Sequence, residues 1–176
     1  MTRPDCILVL CNFLNKRGEI VEEFRVRLLE AASQSEMSGL TIIVNGGQTH
    51  DTPCSQGRAA YEFLLSLGIP GERILWGEGG HDTLDELRIA MTVMNQHGWR
   101  HPMVVANWLH LKQVAVAFWR LGVPYTPAAT PLKLMSLKYL AMRLLILPLT
   151  VIDPLGKSWV FRLTRQSRES WLGQKF

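Results

Sequence analysis

The sequence predicts an α/β fold of the Rossmann-like, three-layer, doubly wound type, with a mainly parallel sheet and a C-terminal helical extension. Four short apolar runs recur in the first 125 residues, each gives way to a polar or glycine-bearing loop, and each loop opens an amphipathic stretch. Short aliphatic runs without polar alternation are typical of strands buried on both faces. Strands and helices in repeated succession indicate right-handed crossovers, with helices on both faces of the sheet.

The four apolar runs define the predicted strands, at 6–11, 40–44, 74–76 and 103–106. The first predicted helix, 19–35, has Ile20, Phe24 and Leu28 near one stripe. The second covers 56–67 with Ser55 as a possible N-cap, the third runs from Asp82 or Thr83 to about 97, and the fourth covers 109–121. Each helix is expected to pack its apolar stripe on the sheet.

The length of 176 residues suits a single domain over 1–176, with a core at 5–126 and a C-terminal extension at 127–176. Pro127 and Pro131 predict a connector. The apolar stretch 132–152 contains Lys133, Lys138 and Arg143, and its longest uncharged part is too short to span a bilayer. We expect a helix that covers the sheet edge, and a membrane-surface helix is the alternative.

The positive charge is concentrated in the C-terminal part of the chain. Residues 1–131 hold 11 Lys/Arg against 13 Asp/Glu, whereas 132–176 hold 8 against 2. Because the strand-bearing part is slightly acidic, nucleic acid is not an expected partner. The basic part, which includes Arg162, Arg165 and Arg168, instead makes peripheral membrane contact through 132–176 possible.

Cysteine usage and the start of the chain bear on the redox state and the location. The three cysteines, at positions 6, 11 and 54, have neither zinc-site nor disulfide-framework spacing, so reduced thiols are expected. Residues 1–5 lead directly into the first strand without a secretory signal. The sequence therefore favours a cytoplasmic protein, possibly peripheral to a membrane.

Polar residues follow the predicted strands, where ligands bind in open parallel sheets. Asn45, Gly46 and Gly47 end the second strand, and the glycines permit positive φ or close backbone approach, which would bring N–H groups close to an anion or phosphate. The pattern is neither a P-loop nor GxGxxG, which disfavours ordinary nucleotide hydrolysis and classical dinucleotide binding. Further candidates after other strands are Asn12, Glu78, Asn107 and His110.

His110 is the only candidate acid or base, and its ring is expected to be partly exposed in the ligand pocket. No other catalytic residue is indicated. No metal site is expected either, although His50 and His81 also lie in loops after strands. Arg25 and Arg27 cannot share one helix face, so one is expected to reach the site and the other the solvent.

Three polar positions at the third loop, Glu78, Thr83 and Asp85, have two interpretations. They can bind hydroxyl groups, amines or a ribose of a ligand. Alternatively, Thr83 or Asp82 caps the third helix and Asp85 interacts favourably with the helix dipole. The sequence leaves these alternatives open.

The order and spacing of several segments resemble the DUF218 family, the group of SanA-, ElyC- and YdcF-like proteins, over about 5–123. The matching segments are DCILVL at 5–10, RVRL at 25–28 with Ala31, IIVNGG at 42–47, GIP at 68–70, TLD at 83–85, and VVAN at 104–107 followed by His110. The resemblance implies a Rossmann-like fold with poorly established biochemistry. Some members resemble S-adenosylmethionine binders, and others are linked to cell-envelope integrity.

The chain departs from the family pattern at Cys11, Asn45, Gln56, Ala106 and Gln113. Two charged positions of the family are neutral here, at Gln56 and Gln113. The membrane anchor of the envelope-linked members has no counterpart, so the chain looks like a divergent member of the soluble branch. The departures leave open whether the family's activity is retained.

The leading hypothesis is therefore a protein that binds a phosphorylated, nucleotide or nucleoside ligand, with S-adenosylmethionine possible and catalysis unproven. Its expected site comprises Asn12, Arg27, Asn45, Gly46, Gly47, Ser55, Gln56, Glu78, Thr83, Asp85, Asn107 and His110. The alternative is a peripheral cell-envelope factor that docks on an anionic membrane or on a membrane partner through its basic C-terminal region.

Overall fold

The computed structural model describes residues 3–48, 52–80, 82–131 and 147–154, where five strands alternate with four α-helices. The strands are β1 (Cys6–Leu10), β2 (Ile42–Asn45), β3 (Ile74–Gly77), β4 (Pro102–Asn107) and β5 (Thr126–Thr130). The helices are α1 (Glu22–Ser38), α2 (Gln56–Ser66), α3 (Thr83–Gln96) and α4 (Trp108–Leu121), with a 3-10 turn (Gly71–Arg73) before β3. A further helical segment covers 147–152.

All five strands are parallel, in the order β3-β2-β1-β4-β5. The chain builds outward from β1 to β3, then crosses to the other side of β1 for β4 and β5. The direction of strand addition reverses between β1 and β4, and the crevice beyond the carboxyl ends of the strands at this switch point is the usual ligand position in such sheets. The predicted α/β, Rossmann-like, three-layer fold is confirmed.

Each face of the sheet carries one apolar layer. On one face, Val9 and Val44 pack with Phe24 and Leu28 of α1 and Leu64 of α2. On the other, the layer comprises strand residues Leu8, Leu10, Ile43 and Val104, helix residues Leu84 and Leu87 of α3, and Val114 and Phe118 of α4. The strands are therefore buried on both sides, as their unbroken apolar runs predict.

The predicted connector after Pro124 is wrong, because Thr126–Thr130 forms β5 alongside β4. Exposed and less exposed positions alternate along β5, as in a strand at the edge of a sheet. Proline is tolerated in edge strands, and the two alanines give little β propensity. These features hide the strand in the sequence, and the core extends to Thr130 instead of ending at 126.

Two helix starts differ from the prediction. α1 begins at Glu22 rather than 19, since Ile20 instead forms an isolated antiparallel bridge with Leu14, and α4 begins at Trp108 rather than 109. Asp82, the first of the two predicted alternatives, caps α3 by accepting the N–H groups of Leu84 and Asp85 at 3.0 Å. Side-chain caps are thus present at α2, α3 and α4, and α1 begins without one.

The described part of the C-terminal extension packs against α4. Thr150, in the segment 147–152, is fully buried, and the Gln113 Nε2 atom donates a long hydrogen bond of 3.5 Å to its Oγ1. Lys133, Lys138, Arg143 and the three predicted surface arginines at 162, 165 and 168 lie outside the described residues. Within the described ranges, no helix has the length and apolar character needed to cross a bilayer.

Candidate functional site

The Gly-Gly turn after β2 is buried and its donors are already used. Gly46 N–H donates to the Gly77 carbonyl at 3.1 Å, and Gly47 N–H donates to the Gly80 carbonyl at 2.8 Å. The predicted presentation of these N–H groups to an anion is therefore wrong for this arrangement. Positive φ, one of the two predicted uses of these glycines, does not occur at Gly46 or Gly47, and among the described glycines of this region it occurs at Gly80, with φ of 99°.

Close approach of backbones, instead, explains why glycines occur where β2, β3 and α2 meet. A Cβ atom at Gly57 would lie 2.0 Å from the Gly77 carbonyl oxygen, and one at Gly77 would lie 2.6 Å from Asn45 Oδ1. A Cβ atom at Gly46 would lie 2.7 Å from Cys11 Sγ. Side chains are excluded from this junction, which we call the glycine seam (Gly46, Gly57, Gly77).

The first N–H groups of α2 also donate hydrogen bonds within the protein. Gln56 N–H donates to the Gly47 carbonyl at 3.2 Å, and Gly57 N–H donates to the Gly46 carbonyl at 3.0 Å. The Gln56 side chain is buried and lies beside Gly46. A Cβ atom added to Gly46 would lie 2.9 Å from Gln56 Oε1. The carboxyl end of β2 and the start of α2 therefore form a packed turn, whose N–H groups are already bonded and do not form a phosphate site.

Ser55 connects α2 to the loop after β3. Its buried Oγ accepts the Arg58 N–H at 3.1 Å, which confirms it as the predicted N-cap, and donates to Glu78 Oε1 at 3.1 Å. Glu78 itself is exposed. The two predicted site residues are thus brought together, and their hydrogen bond ties the loop to the helix.

The carboxyl end of β1 lies between two buried charges. The Arg27 Nη1 atom donates to the Leu10 carbonyl at 2.7 Å and to the Cys11 carbonyl at 3.0 Å, while Glu86 Oε2 accepts the Cys11 N–H at 3.0 Å. Arg25 is exposed and pairs with Glu22, so the two arginines diverge as their spacing predicts. The guanidinium and the carboxylate satisfy backbone groups at the end of β1.

Cys6 in β1 and Cys11 just after β1 are held in their protonated thiol form. Burial raises the pKa of Cys11 well above its ordinary value, the Glu86 carboxylate raises it further, and Arg27 acts in the opposite direction. Burial, with a smaller effect of Asp5, raises the pKa of Cys6 to about 12. Since the thiolate is the nucleophilic form, neither thiol is suited to nucleophilic chemistry in the folded protein.

The end of β4 combines a helix cap with two buried polar side chains. Asn107 Oδ1 accepts the His110 N–H at 3.0 Å and so caps α4. Asn107 is paired in register with Thr130 of β5, and the two residues are 2% and 5% exposed. Asn107 Nδ2 and Thr130 Oγ1 make no hydrogen bond to any group within the described residues.

His110 is 3% exposed, so the predicted partial exposure of its ring is wrong. α4 begins at Trp108, one residue earlier than predicted, and His110 is buried together with its neighbours Leu109 and Leu111. His110 and Asn107 are nonetheless neighbours at the start of α4, joined by the capping hydrogen bond.

Asn45, at the end of β2, is 4% exposed, and its Nδ2 atom makes no hydrogen bond to another group in the part of the chain that the structure describes. It is paired in register with Leu10. Because neighbouring strands are about 4.8 Å apart, Asn45 and Asn107 stand on either side of the β1 end roughly 10 Å from each other. They flank the switch point.

The remaining predicted site residues, Asn12, Thr83 and Asp85, have positions or partners set by the nearby helices. Asn12 is half-buried, and its Nδ2 atom donates to Glu23 Oε2 at 3.0 Å. Asp85 is buried and forms an ion pair with the partly exposed Arg88, and Thr83 is buried in the first turn of α3. The structure supports the capping alternative for Asp82 and assigns Asp85 a local partner.

Two contributors to this region were not identified from the sequence. Glu86 is one of several acidic residues at the start of α3, where such residues usually indicate a favourable helix dipole and do not predict contact with β1. Thr130 belongs to the strand that the proline-containing sequence conceals. The position of Glu86 is shown by its hydrogen bond with the Cys11 N–H, and that of Thr130 by the register of β5 with β4.

Other kinds of site find little support in the described part of the chain. No group of three or more His, Cys, Asp or Glu residues there could hold a metal ion, and His50 and His81 lie outside the described residues. A groove of about 260 Å³ lies at the opposite, amino edge, lined in part by Met91, Trp99 and Leu121. It is remote from the strand ends, so its presence does not bear on the candidate site.

Comparison with known proteins does not assign the chain to a class. No protein-family model matches it, and no curated protein matches it significantly.

Proposed function

We propose that the protein binds a small polar ligand at the carboxyl ends of β4 and β5, next to the switch point. The observation that carries the proposal is the pair of Asn107 Nδ2 and Thr130 Oγ1, which are neighbours in register, buried, and without a hydrogen-bond partner among the residues that the structure describes. Buried polar atoms nearly always have a hydrogen-bond partner, so the pair calls for one. Asn45, across the β1 end, supplies a third such atom.

The chemistry of these atoms favours a ligand rich in oxygen acceptors. An amide Nδ2 only donates, whereas a hydroxyl both donates and accepts. The amino end of α4, where the Asn107 amide lies, also favours negative charge. A phosphorylated compound, a nucleotide or a nucleoside fits these requirements, and S-adenosylmethionine, with its ribose hydroxyls and carboxylate, belongs to the same class.

The proposal is confined to binding, and it differs from the sequence hypothesis in where the ligand lies. The committed N–H groups of Gly46 and Gly47 argue against phosphate contact at that turn. The proposal includes a relationship to the DUF218 family, supported by the ordered segments between 5 and 110 and weakened by the departures at Cys11, Gln56 and Gln113.

Two isosteric substitutions test the proposal. Asn107→Asp keeps the oxygen that caps α4 and removes the Nδ2 donor, and Thr130→Val removes the hydroxyl. Adenosine, AMP, ATP, S-adenosylmethionine and inorganic phosphate serve as probes, with binding followed by the rise in Tm and by calorimetry. We expect each variant to weaken binding of the active probe about tenfold, the value of one good hydrogen bond.

Stability separates a ligand contact from a structural role. Thr130→Val should leave the Tm of the free protein unchanged or raise it, because a buried hydroxyl without a partner is replaced by a methyl group of similar size. Thr126→Val, in the same strand at the amino edge, is the matched control and should not alter affinity. Absence of binding by every probe, together with a water molecule bridging Asn107 and Thr130 in a crystal structure, would contradict the proposal.

A second candidate function, contact with an anionic membrane surface, is favoured by the charge asymmetry of the chain. Residues 132–176 carry 8 Lys/Arg against 2 Asp/Glu. Each basic residue held near an anionic membrane contributes on the order of 1 kcal/mol of attraction, and salt screens that attraction. Sedimentation with anionic vesicles at low and high salt tests this function directly.

A further inference from the structure

The surface of α4 that faces away from the sheet is unusually apolar. Trp119 is 72% exposed and Trp108 is 47% exposed, and Ala115 and Val116 between them are partly exposed. An α-helix advances 100° per residue, so Trp108, Ala115 and Trp119 lie within about 40° of each other around the axis. Surface helices usually turn a polar face to water, which makes this outer face exceptional.

The charges on the outer face are all positive. Lys112 lies between the two tryptophans on the same stripe, Arg120 flanks it, and both are exposed. α4 contains no Asp or Glu. The outer face of α4 (Trp108, Lys112, Ala115, Val116, Trp119, Arg120) therefore combines apolar area with two positive charges and no compensating acid on the helix.

The described C-terminal segment contacts another side of α4. Thr150 contacts Gln113, which is buried and lies about 140° around the helix axis from Trp108. The tryptophans are eleven residues apart, or about 16 Å along the axis, so the area is elongated.

Charge decides among the possible occupants of this face. A second copy of the same face would bring Lys112 and Arg120 toward their own counterparts, which costs free energy because like charges repel. The basic C-terminal part of the chain has the same unfavourable sign. An anionic occupant is complementary to the face.

We propose that the outer face of α4 docks on the surface of an anionic lipid bilayer. The proposal rests on the second function above and names the face that makes the contact. Tryptophan prefers the membrane–water interface because its indole ring is apolar and its N–H is polar. Lys112 and Arg120 would meet lipid phosphates while the tryptophans enter the acyl boundary.

Vesicle partition of the full chain tests the proposal. Vesicles of phosphatidylglycerol and phosphatidylcholine are compared with pure phosphatidylcholine, using the wild type, Trp119→Ala and Trp108→Ala. We expect binding only to anionic vesicles and a loss of about tenfold in partition for Trp119→Ala, since burying one large apolar side chain supplies at least that much. Trp76→Ala, half-exposed at the opposite edge of the sheet, is the matched control and should partition like the wild type.

A second readout locates the contact. Bromine-labelled lipid should quench the tryptophan emission of the wild type, and the quenched fraction should fall in Trp119→Ala and not in Trp76→Ala. No binding to anionic vesicles at low salt would overturn both the membrane function and this face, leaving an acidic protein as the partner to seek. Binding lost on joint substitution of Arg162, Arg165 and Arg168 by Gln, but unchanged in Trp119→Ala and Trp108→Ala, would overturn the face alone.

Discussion

At the scale of single residues, the buried charges of Arg27 and Glu86 are the most costly feature of the carboxyl edge. Taking an ion out of water costs several kcal/mol even after relaxation, unless hydrogen bonds compensate. Arg27 donates to two carbonyls and Glu86 accepts one N–H, all at the end of β1. The polar backbone groups that β1 leaves beyond its last ladder pair are thereby satisfied without water.

The glycine seam gives the sharpest prediction at this scale. Gly57 lies in α2, where alanine is normally better than glycine by about 1 kcal/mol. Gly57→Ala should nevertheless destabilise the protein by about 3 kcal/mol, because its Cβ would lie 2.0 Å from the Gly77 carbonyl and the two backbones must move apart. Urea unfolding measures the free energy of unfolding.

Gly71→Ala is the control for this experiment. Its Cβ would meet the Tyr61 hydroxyl at 3.2 Å, a side-chain atom that can shift. We expect a change below about 1 kcal/mol. Equal stabilities of Gly57→Ala and the wild type would show that α2 and β3 do not approach each other this closely.

Single residues also mark the limit of the sequence analysis. The glycines after β2 permit left-handed backbone or close approach of a distant segment, and a dipeptide Gly-Gly does not distinguish the two. The burial of His110 depends on how α4 packs against β4 and β5 and on what covers its first turn. Neither property is local, so neither can be obtained from the neighbouring residues in sequence.

At the scale of elements, the cap of α3 is a testable link between a loop and a helix. Asp82→Ala should lower the free energy of unfolding by about 1 kcal/mol, because two N–H groups of the first turn lose their acceptor. Asp82→Asn retains an acceptor oxygen and should recover most of the loss. Chemical denaturation of the three proteins checks this, and equal losses for Asn and Ala would exclude a capping role.

The elements were predicted best where their signals are local. Unbroken apolar runs identified β1 to β4, and Ser55 identified the start of α2. β5 was missed because an edge strand needs only one partner, tolerates Pro127, and shows too little β-branched character to be recognised. Its position is determined by pairing with β4 along its whole length, from Met103 with Thr126 to Asn107 with Thr130.

At the scale of the whole molecule, one carboxylate joins the start of β1 to the end of the crossover between β3 and β4. Asp5 Oδ2 accepts the N–H groups of Arg100 and His101, at 2.8 and 2.9 Å. These hydrogen bonds, Arg100 first, lower the pKa of Asp5 in the folded state. A lowered folded pKa means that the contribution to stability is present above the unfolded pKa and is lost as the pH falls through the folded one.

Asp5→Asn should therefore flatten the acid side of the stability profile. Between about pH 5 and pH 3 the wild type should lose stability more steeply than the variant, because an amide does not titrate. Urea unfolding across this range measures the difference. Glu36→Gln, which removes an exposed carboxylate on α1, should keep the wild-type slope, and a parallel profile for Asp5→Asn would contradict the role of Asp5.

The burial of two thiols in and just after β1 makes them reporters of the protein's own opening. Cys6 in β1 and Cys11 just after it are 0% and 6% exposed, whereas Cys54 is only partly buried in a loop. A thiol reagent should modify Cys54 through local fluctuations, but it can reach Cys6 and Cys11 only when the core layers on the two faces of the sheet open. The labelling rates of these native cysteines then distinguish loop motion from global unfolding without any introduced dye or mutation.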